Sequence, residues 1–187
     1  MGKFIAALLL SLGLALPAAA NPEFDLGPPT GSKVPAIGMP LDHTGTARSM
    51  NSLMGKNGMV FFFFRSAAWC PYCKAQLIDL NNGAAEIQKR GYALVGISYD
   101  QPKVQADFIA ERAIKYTLLS DPKSEVIDRY GLRDPQYKKG SLAYGVPRPI
   151  IFILDRDGVV KAKLYEDTYT KRPPTSVVIE TLDKVGH

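Results

Sequence analysis

Met59-Val60-Phe61-Phe62-Phe63-Phe64-Arg65-Ser66-Ala67-Ala68-Trp69-Cys70-Pro71-Tyr72-Cys73 carries an apolar run directly into both cysteines of the chain. Its first six residues form an unbroken apolar run of strand length. Beyond Cys73 the period changes: Cys73, Leu77, Leu80, Ala84 and Ile87 recur at steps of three and four, the spacing of one helix face. The only two cysteines of the chain therefore sit where a buried strand turns into a helix. First-turn N–H groups there lack intrahelical partners, and the helix dipole is positive. A thiolate at that point is stabilised, so Cys70 is expected to be exposed and acidic, and to be the attacking sulfur. Pro71 suits the first helical position, where a missing N–H costs nothing. Three readings of the pair stand side by side. A structural disulfide closing so short a loop removes little chain entropy. A zinc site would need more ligands than His43 and the C-terminal His187 supply. A redox-active pair is favoured, with no metal and no cofactor expected.

Outward toward the N-terminus, Lys3 followed by the apolar stretch Phe4 to Leu16 and by Ala18-Ala19-Ala20 has the layout of a signal peptide. The apolar stretch is short for a membrane span. Residues 1–20 are thus expected to be removed. Residues 21–187 would be a single domain, periplasmic or secreted, with no membrane association after cleavage. No cysteine stands at the cleavage point to take a lipid. A net charge of +5 without a dense Lys/Arg run gives no nucleic-acid surface. Hydrophobic residues make up 46% of the chain, enough for a core without staples.

Outward toward the C-terminus, the pattern alternates. Tyr92 to Ser98 reads as a strand. Asp100 reads as the N-cap of a helix that has Pro102 in its first turn and buries Val104, Phe108 and Ile109. Thr117 to Leu119 is a brief strand, and Asp121-Pro122 opens a short helix. Gly131 to Gly145 is a long loop of the kind that is often functional. Pro149 to Leu154 and Val159 to Tyr165 form a hairpin about Asp157-Gly158, and Val178, Leu182 and Val185 share a face of a last helix. The N-terminal part, from residue 21 to about 58, is rich in Pro and Gly. Strands alternating with helices give an α/β architecture, a mixed central sheet with helices on both faces and one crossover near the start.

Four pieces carry a family resemblance: the apolar strand leading to Trp69-Cys70-Pro71-Tyr72-Cys73, Leu94-Val95-Gly96-Ile97-Ser98, Tyr144-Gly145-Val146-Pro147-Arg148-Pro149, and Ile151-Phe152-Ile153-Leu154-Asp155-Arg156-Asp157-Gly158. Over roughly Val34 to Val185 the chain resembles the thioredoxin-like fold of the broad redoxin group. Peroxiredoxins of the alkyl hydroperoxide reductase/thiol-specific antioxidant type and exported thiol-disulfide oxidoreductases are neighbours in that group. Peroxiredoxins carry a proline seven residues and a Thr or Ser three residues before the reactive cysteine, where this chain has Phe63 and Ala67. The thioredoxin branch implies a cis-proline at Pro149, presenting its backbone beside Cys70. Peroxiredoxins place an arginine near this strand, for which Arg148 is the candidate and Arg65 the reserve.

The leading expectation is a disulfide oxidoreductase. Cys70 opens a substrate disulfide and Cys73 resolves the mixed disulfide. Trp69 would shield the site or contact substrate, while Pro71, Tyr72, Arg148 and Pro149 would line it. Partners would be protein or small-molecule disulfides and thiols, with an electron-donor thiol system. The alternative is an antioxidant peroxidase in which Cys70 meets peroxide and becomes a sulfenic acid. A third reading is a non-catalytic copper-handling module, since copper(I) favours soft thiolates. Protein purified from its own host is expected to begin at Asn21, and a full-length N-terminus by mass spectrometry would contradict the export reading.

Overall fold

The computed structural model describes residues 25–186, so the expected signal peptide of residues 1–20 lies outside the described residues. Eleven elements follow in order: β1 (Leu41–Asp42), α1 (Met50–Leu53), β2 (Gly58–Phe63), α2 (Pro71–Lys89), β3 (Tyr92–Ser98), α3 (Pro102–Arg112), β4 (Thr117–Ser120), α4 (Glu125–Arg129), β5 (Ile150–Asp155), β6 (Val160–Leu164) and α5 (Thr175–Val185). The six strands form one sheet in the order β1-β4-β3-β2-β5-β6. β2 pairs parallel with β3 and antiparallel with β5, so it lies at the centre of the sheet. β3 also pairs parallel with β4, which makes two successive crossovers, through α2 and α3, where the sequence suggested one.

The unbroken apolar run of β2 is explained by coverage on both faces. Val60, Phe62 and Phe64 pack with Leu77, Leu80, Ala84 and Ile87 of α2, with Phe108 of α3, and with Val178 and Leu182 of α5. Met59, Phe61 and Phe63 point the other way, into a second cluster with Leu53 of α1, Val126 and Ile127 of α4, and Ile37 from the N-terminal lead-in. Tyr130 closes that cluster, its ring 5.0 Å from Phe63 and 5.9 Å from Phe61. A strand so enclosed is rigid, and the turn at its C-terminal end inherits a fixed starting point.

Two local expectations change. α3 takes Gln101 as its N-cap, without a side-chain cap bond, because the Asp100 carboxylate turns inward instead. α4 begins at Glu125, not at Pro122. Asp121 accepts from the N–H groups of Glu125, Val126 and Ile127 and so satisfies that helix start from four residues upstream. The long loop before β5 is pinned at its base: Arg148 N–H donates to Leu132, and Asp134 N–H donates to Val146.

β3 keeps Gly96 for lack of space. A Cβ there would press on the Phe62 ring and lie 2.8 Å from Leu118 Cδ2. Gly96→Ala should therefore destabilise the protein by ~1–3 kcal/mol, the usual cost of overpacking a filled core. The check is the urea unfolding midpoint, which should fall without loss of the folded baseline.

Candidate active site

α2 begins inside the protein. Cys70 is its N-cap, with Sγ accepting from the Cys73 N–H at 3.3 Å, and Pro71 occupies the first helical position. Both cysteines are free thiols. Neither is on the surface: Cys70 is 2% exposed and Cys73 is fully buried. The expected exposure of Cys70 is therefore corrected, because Cys70 belongs to the buried cluster that includes Phe64, Ala67 and Leu77.

The sulfur pushed toward the acidic side is not the one the helix dipole suggested. The hydrogen bond to Cys73, together with burial, pushes the Cys70 thiol up. Burial alone would raise Cys73 as well. Four donors outweigh it: the Cys70 thiol, the backbone N–H groups of Ser66 and Arg65, and the Arg172 guanidinium, which bring Cys73 down to about 6. Arg65 N lies 3.4 Å and Arg172 Nη2 3.6 Å from Cys73 Sγ. Within the reduced pair Cys73 is thus shifted toward the more acidic side, with the Cys70 thiol as one of its donors. Sequence reasoning missed this because backbone donors at Arg65 and Ser66 and a guanidinium 99 positions along the chain leave no local pattern.

The turn itself is held by Asp100. Its Oδ1 accepts from Ser66 Oγ at 2.8 Å, and its Oδ2 accepts from Ala67 N–H at 2.7 Å and Ser98 Oγ at 2.9 Å. Ser66 Oγ in turn accepts from Ala68 N–H at 2.9 Å. The neighbouring Tyr99 hydroxyl accepts from Trp69 Nε1 at 2.8 Å and donates to Leu142 O at 2.9 Å. Trp69 is half-buried and braced, so it walls the site.

Arg65 fills the space behind the turn. Its guanidinium lies over the rings of Tyr169 at 4.3 Å, Tyr137 at 4.8 Å and Trp69 at 5.3 Å, and it donates to the Tyr137 hydroxyl. Tyr137 comes from the long loop and Tyr169 from the segment joining β6 to α5. Tyr72 is exposed and meets Tyr169 edge to face, ring centroids 6.1 Å apart.

Arg148 and Pro149 lie together on a cavity of about 390 Å³, with Asp134, Gln136 and Tyr169 among its walls. The Arg148 Nε is buried and without a partner. The Arg148–Pro149 bond is trans, as is every peptide bond among the described residues, so the expected cis-proline is corrected. Here the chain reaches β5 from a loop whose backbone is already fixed by the Arg148 N–H to Leu132 bond. The structure gathers Trp69, Cys70, Pro71, Tyr72 and Cys73 in one turn, with Arg148 and Pro149 on the cavity that shares Tyr169.

A pair of hydrogen-bonded thiols at a helix start, on a mixed sheet of this order, defines a thiol oxidoreductase of the thioredoxin-like fold. Residues 30–163 match the AhpC/TSA family model, and the chain belongs to that family. Peroxiredoxin Bcp of Escherichia coli K12 is 28% identical over 131 residues, covering 70% of this chain and 81% of that protein. The crystal structure of peroxidoxin BcpB from Mycobacterium tuberculosis superposes with a TM-score of 0.71 at 27% identity, over 86% of this chain and 99% of that one. Peroxiredoxin Q of Xanthomonas campestris shares the fold, with a TM-score of 0.67 at 19% identity over 80% and 91% of the two chains. This protein is an oxidoreductase.

Burial raises the Asp100 carboxyl, against the hydrogen bonds from Ala67, Ser66 and Ser98 that lower it. A carboxyl raised in the folded state contributes stability that is complete below its unfolded value and is lost as pH rises through the folded value. The stability of the parent relative to Asp100→Asn should therefore be greatest in acid and decline toward neutral pH. Denaturant unfolding across pH checks this, and a difference that grows with pH would contradict it.

Proposed function

We propose that this protein is a thiol-dependent peroxidase that reduces hydrogen peroxide or an organic hydroperoxide at Cys70 and is regenerated by a thiol donor. The observation that carries this reading is the Cys70 thiol hydrogen-bonded to a second thiol, inside the segment that matches the AhpC/TSA family. The relatives named peroxiredoxins favour it over a protein disulfide reductase.

In the first step Cys70 Sγ attacks the terminal peroxide oxygen. The O–O bond breaks, the departing oxygen takes a proton and leaves as water or alcohol, and Cys70 becomes a sulfenic acid. In the second step Cys73 Sγ attacks the Cys70 sulfur and displaces hydroxide, which leaves as water with a proton. The product is the Cys70–Cys73 disulfide. A thiol donor then returns two electrons by exchange and restores both thiols. That last step is the disulfide chemistry read from the Cys-Pro-Tyr-Cys turn, now as the regenerating half of a cycle. The departing oxygen carries developing charge, and Arg148, whose buried Nε is unpartnered on the cavity that shares Tyr169, is the candidate donor to it.

The N-terminal segment supports placing this activity outside the cytoplasm, in a periplasm or secreted, where the donor would be an exported thiol protein or a small thiol.

The test mixes reduced protein separately with hydrogen peroxide and with an insulin-like disulfide. Peroxide should be consumed much the faster. Cys70→Ser should abolish that consumption. Cys73→Ser should leave a sulfenic acid on Cys70 that dimedone traps. Arg148→Ala should slow peroxide consumption by about a hundredfold. Faster reaction with the disulfide, with Arg148→Ala silent, would return the reading to a disulfide oxidoreductase.

A further inference from the structure

The segment 165–174 crosses from β6 to α5 over the start of α2 and acts as a strap. It is tied at both ends of its passage. Tyr169 is packed between the Arg65 guanidinium and the Tyr72 ring. At the far end, Thr175 donates through its N–H and its hydroxyl to Asp79 Oδ2 of α2, at 2.8 and 2.7 Å. Two prolines, Pro173 and Pro174, stiffen the approach to that anchor. Between these ties stands Arg172. Its Nη1 donates to the carbonyls of Tyr169 and Lys171, which folds the side chain back under its own loop. The fold directs Nη2 to Cys73 Sγ, 3.6 Å away. No salt bridge involves Arg172 among the described residues.

We propose that Arg172 is a catalytic residue of this enzyme: its guanidinium donates to Cys73 Sγ and holds that sulfur ready as the thiolate that attacks the sulfenic acid of Cys70. The proposal deepens the peroxidase reading and rests on it for the step that follows. In that step Cys73 Sγ forms the S–S bond as the S–O bond of the Cys70 sulfenic acid breaks, and the hydroxide that leaves takes a proton to become water. No further oxidant or reductant is needed. A buried thiol that had to attack while protonated would be a poor nucleophile. Here a charge from the strap favours the ionised sulfur.

The groups facing Cys73 are few. Cys70 and the N–H groups of Arg65 and Ser66 come from the turn, and Arg172 comes from the strap. The Arg65 guanidinium is turned to the three rings. The acids of the neighbouring elements are engaged elsewhere, Asp79 with Thr175 and Asp100 with Ser66, Ala67 and Ser98. Arg172 is thus the side-chain cation bonded to the sulfur.

The experiment is a thiolate titration by ultraviolet absorbance on full-length reduced protein carrying Cys70→Ser, which leaves Cys73 as the one thiol. Adding Arg172→Gln should move the titration upward by roughly 1–3 pH units, the effect of removing an adjacent opposite charge. Arg172→Met, similar in length and uncharged, should do the same and serves if the Gln variant does not fold. Arg172→Lys should recover part of the shift. In the protein with both cysteines, Arg172→Gln should slow peroxide consumption at neutral pH and recover it as pH rises. A titration unmoved by the uncharged variants overturns the proposal. No peroxide enters the titration, so the two readings fail separately. A shifted titration in a protein inert to peroxide would refute the peroxidase and leave the Arg172–Cys73 link standing.

Discussion

Asp100 stands at the end of β3 with its carboxylate turned into the protein, and the reactive turn is built around it. Its two oxygens accept from Ser66, Ala67 and Ser98, and its carbonyl accepts from Ser120 Oγ at 2.6 Å. One residue thereby joins the C-terminal ends of three neighbouring strands, β2, β3 and β4. A buried acid is unfavourable unless its acceptor capacity is filled, and here the donors are the backbone and hydroxyls that define the turn. Without it the Ala67 N–H would be orphaned, and the orientation of Arg65 N and Ser66 N toward Cys73 would have nothing to fix it.

The parts of the fold legible in the sequence are those with a period. β2 could be read from its six apolar residues, α2 from its Cys73-Leu77-Leu80-Ala84-Ile87 face, and the β5–β6 hairpin from Asp157-Gly158. Each depends on near neighbours in the chain. The parts that were not legible depend on distant ones. Asp100 followed by Pro102 has the local form of a helix cap. Only the approach of Ser66 and Ala67, on another strand's loop, reveals that the carboxylate is used elsewhere. Pro149 resembled a cis-proline by its spacing from Phe152, but the backbone on either side is set by Leu132 and by pairing of Ile150 with Phe63, which a trans bond satisfies.

The site shows the same division. The two cysteines and their place at a helix start were evident from spacing. Which of them is the stronger acid was not, because a helix dipole offers a single cue and favours the first sulfur. The donors that decide the matter reach the second. Cys73 is enclosed by the turn on one side and the strap on the other, whereas no cation among the described residues hydrogen-bonds to Cys70. The three aromatic rings around Arg65 were likewise invisible, since Trp69, Tyr137 and Tyr169 are scattered over a hundred positions.

The match to the family ends at residue 163, within β6, and the strap that carries Tyr169 and Arg172 begins just beyond it. The two lengths of chain share the site between them. The matched portion brings the two sulfurs together and supplies the Arg65 and Ser66 N–H groups to Cys73, and the portion after β6 adds the Arg172 guanidinium. Replacing the strap would spare the enclosed central strand while removing that guanidinium and the Tyr169 ring that covers Arg65. In such an arrangement the reactivity of a site can drift by changes in a surface loop, free of the packing constraints that hold the core.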